Sequence, residues 1–217
     1  MHHSKPATLQ SATPAQAAIL LAAAVVIVLA SGITPHDSVD WRLENVVPVT
    51  ILLALTAGLR RRRLSWQAYL AIVLLLGIHE LGAHFTYAKV PYEEWARTLT
   101  GHSLNAVFDW KRNQYDRLVH FSYGLLVTIA LREMLCRHTP LRGGWLTLLV
   151  LSLVLATSAL YELVEWIGGE YLGDDQAEAF IATQEDIWDA QKDMALAFLG
   201  ALICLALRAV WGLRDRR

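Results

Sequence analysis

The chain has 217 residues, 55% of them apolar, and a formal net charge of −1 at pH 7. With a positive mean hydropathy, this composition is typical of a membrane protein that crosses the bilayer several times. The sequence contains no glycine-rich phosphate loop and no Gly-x-Ser-x-Gly motif, which argues against nucleotide-driven and serine-hydrolase mechanisms. A nearly neutral net charge gives no reason to expect a nucleic-acid partner.

Six stretches of the chain are apolar enough to be predicted as transmembrane helices, which need about 20 residues each. They lie near residues 16–33, 45–59, 65–86, 116–136, 145–168 and 188–211, and the second is the shortest. We therefore predict an all-α fold, with about six transmembrane helices forming one bundle and a single domain over residues 1–217. The longer loops on the outer side are predicted at 86–115 and 169–187.

The first apolar run is rich in alanine and in this respect resembles a cleavable leader. The run is nevertheless long enough to span the membrane. Its removal would leave five spans, which is the wrong parity for the basic loops described next. We therefore expect an uncleaved first helix.

Basic residues predict the orientation of the bundle. Arg60–Arg63 lie between the second and third spans, Arg137 and Arg142 lie between the fourth and fifth, and further arginines end the chain. The positive-inside rule places these loops, and with them both termini, in the cytoplasm. Of the 20 Asp and Glu residues, only Glu133 and Asp215 fall on that side. The periplasmic half is therefore acidic, which favours cations.

Four of the predicted spans carry ionisable residues near their periplasmic ends, where such groups are costly and mark functional sites. The residues are His79, Glu80 and His84; Asp116, Arg117 and His120; Glu162 and Glu165; and Asp186, Asp189, Lys192 and Asp193. Glu80, His120, Glu162 and Asp193 all lie about 6 to 10 Å inside the predicted outer boundary. We expect them to meet at one level of the bundle. Gly77 and Gly82 are expected to let a neighbouring helix approach closely.

Imidazole and carboxylate groups at one level predict a bound divalent metal ion such as Zn, Mn or Fe. The predicted ligands are His79, His84, His120, Glu162, Asp189 and Asp193. Glu80 or Glu165 is the predicted general base, and Asp116, Arg117 and Lys192 are predicted to orient or neutralise the ligands. Asp116 and Asp186 are also placed to cap their helices.

The predicted outer loop 86–115 mixes apolar residues with charged ones and suits a segment that lies along the membrane interface. Within it, Lys89 and Arg112 are predicted to bind the phosphate or carboxylate group of a substrate, for example a lipid. Charge balance and contact with lipid head groups would explain the same positive residues.

Four motifs carry a resemblance to a known family. They read HELGAHFTYAKVPY (79–92), NQYDRLVHF (113–121), YELVEW (161–166) and DIWDAQKDM (186–194). In this combination the chain resembles the YjdF-like family of bacterial inner-membrane proteins over roughly residues 45–210. The resemblance implies a multi-span protein of the bacterial inner membrane. It carries over no activity and no catalytic residue.

Three functions agree with these observations. The first is a membrane-embedded metalloenzyme, with hydrolysis favoured, that opens to the periplasm and acts on a lipid or small amphipathic substrate. The second is a transporter of divalent cations or protons, although the inner halves of the last two spans offer almost no polar residues. The third is a structural or assembly subunit in which Arg117 and Lys192 neutralise buried carboxylates.

Overall fold

The structure is a computed structural model and describes residues 10–59, 63–171 and 183–212. Within these ranges the chain forms nine α-helices and a short 3₁₀ helix at Tyr87–Lys89, with no strand. The α-helices are α1 (Pro14–Ser31), α2 (Ser38–Glu44), α3 (Val46–Gly58), α4 (Trp66–Phe85), α5 (Tyr92–Thr100), α6 (Leu104–Phe108), α7 (Tyr115–His138), α8 (Gly143–Tyr171) and α9 (Asp189–Gly212). In the described part of the chain, five of them, α1, α4, α7, α8 and α9, are long and apolar enough to cross a membrane. The predicted all-α membrane fold is thus confirmed.

The second predicted span differs from the prediction in length. The corresponding helix α3 has 13 residues, so it is about 20 Å long against a hydrocarbon core of about 30 Å. The chain before it forms the separate helix α2, because the Asp37 side chain accepts hydrogen bonds from the backbone of Val39 and Asp40. The predicted loop 169–187 begins later than expected, since α8 continues to Tyr171, and residues 172–182 lie outside the described ranges.

Helices α1 and α4 run parallel, with the short α3 antiparallel between them in the chain, and α7, α8 and α9 then alternate in direction, so the bundle has two chemically different ends. The basic end carries Arg63, Arg137 and Arg142, and the acidic end carries Glu80 and Asp116. Helix α7 lies at the centre and packs against α4, α8 and α9, while α1 packs against α4. All the ionisable residues singled out on the spans belong to the acidic end.

Helices α7 and α9 are in backbone contact. A Cβ atom on Gly124 of α7 would lie 1.8 Å from the carbonyl oxygen of Ala197, and one on Gly200 of α9 would lie 2.3 Å from the carbonyl oxygen of Phe121. Both positions therefore require glycine. This pair of helices forms the most tightly joined part of the bundle.

The prediction that Gly77 and Gly82 allow close helix approach is wrong. Nothing lies within 4 Å of a Cβ atom built on Gly77, and one built on Gly82 would meet the ring of Tyr87, just past the end of the same helix. The sequence offers small residues in several spans. Which of them face another helix depends on the rotation of each helix about its axis.

A buried carboxylate joins three segments at the basic end. Glu133 of α7 accepts hydrogen bonds from the backbone NH of Ser65 at 2.6 Å, from the Ser65 hydroxyl, and from Nε of Arg137 at 2.8 Å. Arg137 in turn donates to the hydroxyl of Ser11 at 3.0 Å. The start of α4 and the segment before α1 are thereby held against the end of α7.

Candidate functional site

Three helices bring four ionisable side chains together at the acidic end. Ligand atoms of Asp116, His120 and Asp193 lie within 4.8 Å of one another. His120 Nε2 is 3.5 Å from a carboxylate oxygen of Asp116 and 3.7 Å from one of Glu162. We call Asp116, His120, Glu162 and Asp193 the central cluster. The sequence predicted three of its members as ligands and Asp116 as a supporting residue, whereas the structure places Asp116 among the possible ligands.

The central cluster is buried and has unsatisfied acceptors. Asp193 is 1% exposed, and Asp116 and His120 are each 7% exposed. Among the described residues, no donor reaches Oδ1 of Asp193 or Oε1 of Glu162. A buried carboxylate oxygen without a partner is costly, so such groups are usually paired or bound to a metal ion. Asp116, His120 and Asp193 are thus a group of side chains that could hold a metal ion.

An ion-pair network lies directly beside the central cluster, and its members are Arg112, Arg117, Asp186, Asp189 and Lys192. Arg112 pairs with Asp189 and lies 4.0 Å from Asp116. Arg117 pairs with Asp186, and Lys192 reaches the same carboxylate at 2.6 Å. Lys192, together with the backbone NH of Trp188 and with Arg117, holds the pKa of Asp186 well below its usual range, at about 2.

The network changes three of the predicted roles. Arg117 and Lys192 pair with Asp186 and do not neutralise the central cluster. Asp189, predicted as a metal ligand, is held by Arg112. Asp186 accepts a hydrogen bond from the backbone of Trp188 at 3.1 Å, as a capping residue would, but also binds the two cations.

Glu80 lies in a second buried polar group, between α1, α2 and α4. One of its carboxylate oxygens is hydrogen-bonded to the Ser31 hydroxyl and lies 3.4 Å from Nδ2 of Asn45. Trp41 donates its indole NH to the same Ser31 hydroxyl at 3.0 Å. The other oxygen of Glu80 is buried without a partner among the described residues. Glu80 is therefore held by neighbours that the sequence analysis did not single out.

The two histidines of α4 have partners outside the central cluster. Nδ1 of His84 is 2.8 Å from the backbone oxygen of Ser31, and Nδ1 of His79 is 2.5 Å from the hydroxyl of Tyr87. Neither belongs to the group of possible metal ligands found in the described residues. The structure thus does not bring His79, Glu80 and His84 together with His120.

Helix α2 adds buried residues that the sequence analysis missed. Glu44 is 3% exposed and accepts a hydrogen bond from the hydroxyl of Tyr161 at 2.6 Å. The ring of Tyr161 contacts the ring of His120 edge to face, with centroids 6.1 Å apart. A signal was available, because Asp40 and Glu44 are four residues apart and follow the capping residue Asp37.

The remaining predicted residues lie around these groups. Glu165 is 9% exposed and within electrostatic reach of Asp116 and Glu162. Lys89 is exposed and lies 3.1 Å from a ring nitrogen of His36, whereas Arg112 is part of the partly buried ion-pair network. Asp116 does not cap α7, whose capping position is Gln114.

The buried carboxyl group of Asp40 is expected to make the stability of the protein depend on pH. Both of its carboxylate oxygens are buried without a partner among the described residues. Burial raises the pKa of Asp40 to about 7, with a further rise from Asp37 and an opposing effect of Lys89. At pH values between the ordinary pKa of an aspartate and about 7, the folded chain binds this proton more tightly than the unfolded chain does. The free energy of unfolding therefore falls as pH rises through this range.

We therefore expect Asp40→Asn to raise the thermal unfolding midpoint at about pH 8, and to change it much less at about pH 4. The matched control is Asp109→Asn, since Asp109 is exposed and bonded to Lys111. An equal effect of Asp40→Asn at both pH values would contradict the burial argument.

The chain is similar to known membrane proteins. The family described as "Predicted membrane protein (DUF2238)" matches residues 16–214. The chain is 36% identical over 192 residues to the inner membrane protein YjdF of Escherichia coli (strain K12), covering 88% of each chain. No solved structure matches significantly. The resemblance seen in the four sequence motifs is confirmed.

Proposed function

The chain belongs to the DUF2238 family of membrane proteins, and we propose that this inner-membrane protein binds a divalent metal ion in its central cluster and uses it to hydrolyse a lipid or small amphipathic substrate. One observation carries the proposal. Donor atoms of Asp116, His120 and Asp193 lie within 4.8 Å of one another, and Oδ1 of the fully buried Asp193 has no partner among the described residues.

The donor set suits a transition metal. One imidazole nitrogen and several carboxylate oxygens, without a thiolate, favour Zn, Mn or Fe over Cu(I). Three protein ligands with a further position open are typical of catalytic zinc sites. Glu162, whose Oε1 is also without a partner, is close enough to His120 to serve as a fourth ligand.

The residues around the cluster agree with hydrolysis. A bound ion would act as a Lewis acid toward an ester or phosphoester group. Glu165, one turn beyond Glu162 on α8, is the proposed acceptor of a proton from the attacking water. The Asp116 and Glu162 carboxylates both approach Nε2 of His120, at 3.5 and 3.7 Å, so all three side chains could contribute to one site.

An enzyme fits better than a channel. Gly124 follows His120 by four residues on α7, and Ala197 follows Asp193 by four on α9. The backbone contact between these two helices therefore lies one turn below the central cluster, on the side of the basic end. It leaves no room for a polar path between α7 and α9.

The surroundings favour an amphipathic substrate. Loop 86–115 forms α5 and α6, which expose Leu99, Val107 and Phe108 to the environment. The same loop supplies Arg112 to the ion-pair network beside the cluster. Apolar surface and a partly buried charge thus occur together in one segment at the expected membrane interface.

Elemental analysis tests the metal site. We expect protein purified without chelator to hold about one Zn, Mn or Fe ion per chain, and His120→Ala to lower this content by at least about tenfold. The matched control is His84→Ala, because His84 lies on a neighbouring span and outside the cluster. Both variants are first checked for unchanged helical content and a single elution peak.

Two results would overturn the metal site. One is wild-type protein without a bound transition metal, also after dialysis against each of the three ions. The other is an equal metal content in His120→Ala and His84→Ala.

A further inference from the structure

A groove at the basic end lies apart from the central cluster, between the start of α1 and the end of α3. Its volume is about 660 Å³. It is lined by Pro14, Ala18, Thr56, Ala57, Leu59 and Arg63. All but the last of these have short or apolar side chains, so the groove has an apolar wall and one cationic end.

The groove is open because the side chains on both of its walls are small. The end of α3 lies beside the first turns of α1, and these two segments line the groove. Ala18 of α1 and Ala57 of α3 both line the groove and are exposed. Their methyl groups leave room that a larger side chain would occupy.

Arg63 provides the cationic end. Its Nη1 donates to the backbone oxygen of Leu59 at 3.3 Å, while its Nε is buried and has no partner among the described residues. A guanidinium group binds phosphate through two parallel hydrogen bonds, and a phosphate bound to Arg63 in this way would give its unsatisfied Nε an acceptor. An apolar wall that ends at one such group fits a molecule with an acyl chain and an anionic head.

The membrane supplies such a molecule on this side. The positive-inside rule places the basic end at the cytoplasmic surface, and basic pockets between transmembrane helices on that side bind anionic head groups. We propose that this groove is a binding site for an anionic phospholipid of the inner leaflet, with its phosphate on Arg63 and an acyl chain between α1 and α3.

Native mass spectrometry of the full-length protein tests this site. The protein is exchanged into vesicles of phosphatidylglycerol or phosphatidylcholine, extracted in mild detergent, and analysed for retained lipid. We expect phosphatidylglycerol to be retained preferentially, and Arg63→Gln to reduce its retention about tenfold, as the loss of one charge-assisted phosphate contact would. Ala57→Trp, which fills the groove without removing a charge, is expected to have a similar effect.

The matched control is Arg142→Gln, because Arg142 lies at the same end of the bundle but on an exposed loop. Equal retention of the two lipids by the wild type would overturn the proposal, and so would unchanged retention in Arg63→Gln. The metal content of all three variants is expected to equal that of the wild type. The outcome is thus independent of whether the central cluster binds a metal ion.

Discussion

Gly124→Ala is expected to destabilise the protein at or above the upper end of the range of about 1–3 kcal/mol that is usual for overpacked sites, and Gly124→Leu is expected to prevent folding. The reason is that the Cβ atom would lie 1.8 Å from the backbone oxygen of Ala197, which no side-chain rotation can relieve. The measurement is the thermal unfolding midpoint in detergent, together with the yield of protein that elutes as a single species.

The matched control for Gly124 is Gly77→Ala. Gly77 also lies inside a long helix, but nothing lies within 4 Å of its added Cβ atom. Since alanine favours a helix over glycine by about 1 kcal/mol, the control is expected to be neutral or slightly stabilising. An equal fall of the thermal unfolding midpoint in both variants would show that α7 and α9 are not in close backbone contact.

The same contact positions the central cluster. His120 and Asp193 each lie four residues from it, on different helices, so forcing α7 and α9 apart also separates the two side chains. Gly124→Ala is therefore expected to lower the metal content as well as the stability.

Glu165→Gln is expected to reduce lipid hydrolysis by about 10²–10⁴-fold while leaving the metal content unchanged. Glutamine has nearly the same shape but cannot accept the proton of the attacking water. The assay incubates metal-loaded protein with lipids extracted from bacterial inner membranes and follows the released products by mass spectrometry. His120→Ala is expected to lose both the metal and the activity.

Glu170→Gln is the control for Glu165, because Glu170 lies on the same helix and is exposed. Glu170→Gln is expected to change neither the rate of lipid hydrolysis nor the metal content. Full activity in Glu165→Gln would remove Glu165 from the mechanism. If the metal-loaded wild type hydrolysed none of the lipids, the enzyme proposal would fail while the metal site remained.

The sequence predicts the long helices well because their signal is local. About 20 consecutive apolar residues suffice to identify a span, and the alternation of arginine-rich loops indicates the direction of each helix. Helix α2 was missed because its buried residues, Asp40 and Glu44, are acidic and no apolar run marks the segment. It is recognisable as a helix only from the cap at Asp37 and the spacing of four.

The candidate site was predicted in part, for a geometric reason. Depth along a helix follows from the fixed rise of 1.5 Å per residue, so the common level of His120, Glu162 and Asp193 can be derived from the sequence. The rotation of each helix about its axis depends on the contacts made by its neighbours. Glu80 lies at a similar predicted depth, yet it contacts Ser31 and Asn45 and does not join the cluster.

Helix α8 is the least enclosed of the five candidate spans in the described chain. Only 17% of its most apolar window is buried, against 44% for α7. A sideways displacement of α8 would carry Glu162 and Glu165 away together and break the hydrogen bond between Tyr161 and Glu44. Asp116, His120 and Asp193 would stay in place on the tightly joined pair α7 and α9. One half of the site is thus fixed by close helix packing, and the half that carries the proposed base lies on the helix that is most exposed.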